Sequence, residues 1–277
     1  MIEAAAVRDE LRRLSTQPDE VVDLGEAALA LAAYERPAAR RDACRALLAE
    51  MTAAAALRAG PQAAEAPGRA VALSMVLVQD YRFRGDERDE TLDGLDLIRV
   101  IDRRRGPALP LGILYLTIAR GLGWAAEPLS FPGHFLLRLE DEAGHRVILD
   151  AYDGAVLTDA AELRARLKAL VGLGAELAPE HYTPLSNRAV LLRLQNGIKF
   201  RLLREGRLES ALRSVEAALL FAPEHLPLWR EAGMMHLRLG AVSAAIAAFE
   251  EFVARAPDST ARHRIGVLLQ DLRGRPS

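Results

Sequence analysis

The chain has 277 residues, 51% of them hydrophobic and 27% charged, with a formal net charge of −2. That profile fits a folded protein with a core of its own, excludes a disordered chain, and leaves no broad electrostatic footprint for nucleic acid. A single cysteine, Cys44, excludes an internal disulfide framework and a cysteine-based zinc site. No apolar run approaches the roughly 20 residues that span a bilayer, and the acidic start MIEAAAVRDELRRL has no hydrophobic signal core, so a cytoplasmic protein is expected.

Residues 3–14 read as a first helix, broken by Ser15-Thr16-Gln17-Pro18. A second helix is predicted with Asp19 and Glu20 in its first turn, where anions complement the helix dipole, and runs to about Glu35. Pro37 marks a boundary, a third helix covers about 38–59, and Gly60-Pro61 ends it. The stretch 60–68 contains two prolines and two glycines and is expected to be a loop. Two further helices lie near 69–80 and 92–104. Cys44, inside the third helix, is read as a small buried side chain rather than a reactive thiol, because no Lys, His or helix N-terminus adjoins it in sequence to lower its pKa. The run Arg103-Arg104-Arg105 could bind phosphate, but a solvated helix end is the preferred reading.

Residues 106–154 predict a helix, a strand and a hairpin. Pro110 suits the first turn of the helix, and Leu111, Leu114, Tyr115, Ile118 and Leu122 follow at helical spacing until Gly123. Extended runs follow at about 126–131, 135–140 and 145–151, the last two joined by a turn over Glu140–Gly144. The glycines here occur singly, so there is no phosphate-cradling loop. His134, Asp150 and Asp153 would make only a weak metal site, and no metal or cofactor is expected.

Toward the C-terminal end the sequence aligns on itself after a shift of 34 residues. Gly206 falls on Gly240, Ala211 on Ala245, Val215 on Phe249, Pro223 on Pro257, Gln195 on Trp229 and Lys199 on Gly233. Each unit reads as two amphipathic helices: small Ala211 and Ala245 mark their close approach, Pro223 and Pro257 end the second helix, and Trp229 and Phe249 fill the shared core. Ser259 is the expected N-cap of a final helix over 259–272. The pattern resembles the tetratricopeptide repeat. That resemblance implies a surface that binds another protein, although two units and a cap could instead pack on the chain's own core.

The order helix–LG–strand–GH–strand–D resembles the core of the transglutaminase-like superfamily, in which a Cys opens the helix, a His opens the next strand and an Asp lies on the one after. His134 and Asp150 match the His and the Asp in order and spacing. The phrases RRRG, LYLTIARGLG and FPGHFLLRL resemble more narrowly the bacterial SirB-type family, which joins a helical region and a transglutaminase-like core to tetratricopeptide-like repeats. The nucleophile that the resemblance requires is missing. The helix opens with Ala108-Leu109-Pro110-Leu111, the Ser usual in the SirB-type family near Pro110 is absent, and its Asp-Pro-Phe phrase stands here as Asp150-Ala151-Tyr152.

The expectation is therefore an α+β, mainly α fold. Residues 1–185 would form a helical region plus a transglutaminase-like domain with a small antiparallel sheet, and residues 186–277 tetratricopeptide-like hairpins. The leading function is a non-catalytic regulatory or scaffolding protein with a vestigial His134–Asp150 pair. Two others stay open. One is a hydrolase or peptidase using that pair with an unrecognised nucleophile, for which Cys44 is the only thiol. The other is a small-ligand sensor with a pocket drawn from Pro110, Leu111, Tyr115, Phe131 and Tyr152 beside His134. His134 itself reads as a structural residue bonded to Asp150, a pocket residue, or a general base.

Overall fold

A computed structural model describes residues 2–36, 40–86, 88–157 and 159–274; the boundary expected at Pro37 lies outside them. Helix α1 (Ile2–Thr16) opens the chain. Helix α2 (Leu24–Glu35) is capped by Asp23, whose carboxylate accepts from the Glu26 N–H at 3.0 Å. Asp19 and Glu20, expected in the first turn of this helix, lie instead in a separate 3-10 turn, Asp19–Val21. Helix α3 spans Arg41–Ala59 and buries Cys44, Leu48, Met51 and Ala55.

The expected loop at 60–68 is helical except at Glu65. A 3-10 turn over Gly60–Ala64 leads into α4 (Ala66–Ser74), which continues as a π-helical stretch, Met75–Asp80. Pro67 is tolerated because the first turn needs no donor at that position, and the Asp141 carboxylate accepts the Ala66 N–H at 3.2 Å.

Strand β1 (Arg84–Gly85), helix α5 (Leu97–Arg103) and strand β2 (Arg105–Gly106) follow, β1 and β2 forming a short parallel pair absent from the sequence reading. The arginine run is not a solvated helix end. Arg103 pairs with buried Asp89 at 2.8 Å, Arg104 adopts a left-handed backbone (φ 55°), and Arg105 approaches Asp86 at 3.3 Å.

Helix α6 (Ala108–Gly121) stops where Gly123 turns left-handed (φ 72°). Strands β3 (Ala125–Pro128), β4 (Leu136–Glu140), β5 (Arg146–Asp150) and β6 (Val156–Leu157) form an antiparallel sheet in chain order. The three expected extended runs are β3 to β5; β6 was not foreseen. Helix α7 (Ala160–Val171), capped by Asp159, was also missed.

The repeats comprise α8 (Asn187–Arg204), α9 (Leu208–Phe221), α10 (Leu226–Arg238) and α11 (Val242–Arg255), closed by α12 (Thr260–Arg273). Ser259 caps α12 as expected, accepting from the Arg262 N–H at 3.2 Å. Gly206 and Gly240 make equivalent left-handed turns (φ 71° and 76°), and Ala211 and Ala245 are both fully buried. The Phe249 ring lies so close to Gly233 that an added Cβ would sit 2.4 Å from it. Trp229 packs on the Phe249–Phe252–Leu269 cluster and donates its indole N–H to the Pro223 carbonyl at 2.7 Å.

The chain divides into two compact units, Pro18–Val190, and Met1–Gln17 with Leu191–Ser277. This differs from the division expected at 185/186, because the first helix belongs with the repeats. Its apolar residues Val7 and Leu11 are buried, and α1 packs against α9. The fold is α+β and mainly α.

Candidate functional site

The site stands at one end of the β4–β5 pair. Leu136 lies opposite Asp150 in register, and the Ala151 N–H donates to the Phe135 carbonyl at 3.2 Å, so the residue just before β4 meets the residue just after β5. Helix α6 is held to the same place just past its first turn. The Phe135 ring covers Gly112 so closely that an added Cβ would fall 1.9 Å from it.

His134 and Asp150 are brought together as the sequence predicts. His134 Nδ1 donates to Asp150 Oδ2 at 2.9 Å, with the imidazole about one-fifth exposed and the carboxylate buried. A ring bonded through Nδ1 turns Nε2 outward as its free nitrogen. The sequence did not reveal the third member. Arg166 of α7 donates through Nε to the same Asp150 oxygen at 2.9 Å and reaches Asp153 at 3.4 Å. Asp150 Oδ1 accepts the Tyr152 N–H at 3.0 Å. Burial alone would push the Asp150 carboxyl up. The hydrogen bonds from His134 and the Tyr152 N–H outweigh burial, with the His134 charge and the Arg166 hydrogen bond adding to them, and hold it below the ordinary carboxylate range. Arg166 also shares the carboxylate that an unaccompanied dyad would give wholly to its histidine. Its only sequence signal was the Asp159-capped amphipathic run ELRARLKALV.

The proposed pocket residues are mostly core. Pro110, Leu111 and Tyr115 are buried in α6, and Phe131 is packed in a cluster with Leu129, Leu136, Leu163 and Leu167. The Phe131 ring meets His134 edge-on, with centroids 6.2 Å apart. Tyr152 is half-buried and covers Gly85, where an added Cβ would lie 2.2 Å from its ring. The Tyr115 hydroxyl is buried without a hydrogen-bond partner among the described residues. Burial, and then the nearby Asp153 and Asp150 charges, push it well above its ordinary value.

Cys44 faces other groups. Burial, with Asp102 and Asp96 against a weaker opposing effect of Arg36, pushes its thiol up to about 11. It is therefore a thiol rather than a thiolate at neutral pH. Among the described residues no cluster of three or more His, Cys, Asp or Glu side chains could hold a metal ion, and no helix is long and apolar enough to cross a membrane.

The profile of the transglutaminase-like superfamily matches residues 42–196, more than half of the chain and the whole of the site just described. The chain belongs to the transglutaminase-like superfamily. A tetratricopeptide repeat profile matches residues 198–270. Among similar proteins, a UPF0162 protein of Vibrio cholerae is 30% identical over 66% of this chain and 68% of its own length. Protein SirB1 of Salmonella typhimurium is 32% identical over 60% of this chain and 61% of its own, so the match covers under two thirds of SirB1. A shorter match, 42% identical over 69 residues, reaches F-box only protein 21 of the mouse, covering 24% of this chain and 11% of that protein. No solved structure matches significantly. The matched region thus holds His134, Asp150 and Arg166 together at one end of the β4–β5 pair, and the residues that open α6, Ala108, Leu109 and Pro110, bear no nucleophilic atom.

Proposed function

We propose that this protein is a non-catalytic regulatory or scaffolding member of the transglutaminase-like superfamily that binds another protein through its repeats. One observation carries the reading. Phe135 packs on Gly112, just past the first turn of α6, and the residues that open this helix offer only methyl, isobutyl and pyrrolidine groups where the superfamily pattern needs an attacking atom. The doubly bonded Asp150 oxygen supports a structural role for His134, in which Asp150 ties both His134 and α7 to the end of β5.

The repeats supply the binding surface in this reading. Phe200 and Met234 occupy equivalent positions, 34 residues apart, and are 62% and 39% exposed. Their replacement by glutamate should remove the proteins captured by the wild-type chain, while His134→Ala leaves that set intact. Identical captured sets for wild type and the repeat variant would count against it.

A second reading rests on the outward Nε2 of His134. A hydrolase could use it as a general base for water or for a nucleophile carried by the substrate. It requires amide or ester turnover that disappears in His134→Ala.

A further inference from the structure

A cleft of about 720 Å³ opens between α3 and α5 and shares no lining residue with the His134–Asp150 site. Four arginines line it, Arg36, Arg40, Arg99 and Arg104, against two acids, Glu50 and Asp102. Arg36 is committed to Asp96 at 2.6 Å, and Arg99 stands 3.8 Å from Asp93 in a half-exposed pair.

Arg104 differs from the arginines on either side of it. Arg103 and Arg105 each face a carboxylate, Asp89 and Asp86. Among the described residues Arg104 has none, and its Nη1 is buried without an acceptor. Its guanidinium lies 5.4 Å from the Tyr81 ring centroid and 5.0 Å from that of Phe83. The Tyr81 hydroxyl donates to Glu50 at 2.6 Å, which anchors this platform and engages one of the two acids on the wall. The backbone pays for the placement with φ 55°, a conformation that a long side chain rarely adopts. A cation held on rings, short of acceptors and set by a strained backbone is organised in advance for an anion that arrives from outside.

We propose that this cleft binds a phosphate-bearing small molecule, with the Arg104 guanidinium at the phosphate and the apolar wall of Leu47 and Ile98 against the rest of the ligand. Guanidinium forks match the several oxygens of a phosphate bidentately, which suits the Arg104 group that faces no carboxylate among the described residues. The site is independent of the repeats and of the dyad.

Isothermal titration calorimetry on the full chain, at ionic strength held with chloride, tests this with inorganic phosphate, butyl phosphate and acetate. Phosphate should bind, butyl phosphate about fourfold tighter for each methylene it buries, and acetate at least about tenfold weaker than phosphate. Arg104→Gly suits the left-handed backbone and should weaken phosphate binding at least about tenfold. Arg99→Gln, on the exposed wall of the cleft, should weaken it about threefold, whereas Arg146→Gln, an exposed arginine outside the cleft, should not change it. Absence of phosphate binding by the wild type overturns the proposal, as does unchanged affinity in a folded Arg104→Gly protein. Acetate binding as tightly as phosphate overturns the phosphate assignment. Should Arg104→Gly fail to fold, unchanged affinity in Arg99→Gln overturns the proposal instead.

Discussion

The repeat unit and the Pro18–Val190 unit are built on opposite rules. In the repeats, what happens at Gly206 happens again at Gly240, and the buried Ala211 returns as the buried Ala245. Each packing decision is local and made twice. In the other unit nothing recurs. Asp150 gathers His134 from before β4 and Arg166 from α7, and Asp19 accepts the Asn187 N–H at 2.6 Å from the far end of the same unit. Stability in the repeats should therefore be spread over equivalent positions, whereas in the other unit it should be concentrated in a few long-range polar groups that cannot be lost singly.

Asp150→Asn should sharpen that contrast most. It leaves Arg166 and His134 facing a weakened, neutral acceptor and should cost about 3–5 kcal/mol of unfolding free energy, read by urea denaturation. The sign with pH follows from the lowered native pKa of this carboxyl. Its contribution is complete above the ordinary carboxylate value near pH 4, and is lost as pH falls through the depressed native value. The acid limb of stability against pH should be shallower in Asp150→Asn than in the wild type. A loss below about 1 kcal/mol would mean that the carboxylate does not hold the unit together.

Gly206→Ala and Gly240→Ala should each cost about 1–2 kcal/mol, since both residues are left-handed and neither meets a neighbour where a Cβ would go. Melting measurements that show unequal losses would break the equivalence of the two hairpins. Tyr115→Phe should have the smallest effect, within about 0.5 kcal/mol of wild type or slightly stabilising, because the hydroxyl it removes is buried and unpartnered among the described residues. A clear loss would show that this hydroxyl makes a hydrogen bond, through water or otherwise.

The same contrast explains what could be read from the residues alone. A 34-residue period exposes the hairpins, the glycine turns and the Ser259 cap, because each follows from short-range chemistry. The order His134 then Asp150 gives the dyad, because the register of one hairpin fixes it. Arg166 escaped, since nothing in α7 itself marks which of its charged residues turns inward. Asp19 and Glu20 were assigned to the nearest helix start, but the Asp19 carboxylate serves a start 168 residues away. The Arg103-Arg104-Arg105 run looked like one exposed feature, yet each side chain has a different fate set by Asp89, by the Tyr81 and Phe83 rings, and by Asp86. In each miss the deciding partner lies far off in sequence or beyond a turn of the backbone that side-chain periodicity does not reveal.

The reading of a vacant nucleophile position is met most directly by mass spectrometry of the native protein after treatment with a fluorophosphonate and with iodoacetamide, compared with His134→Ala. No residue should carry an adduct that depends on His134, and Cys44 should label only after unfolding, as a buried thiol pushed up to about 11 requires. A serine, threonine or cysteine modified in the wild type and spared in His134→Ala would contradict the account and identify the attacking group.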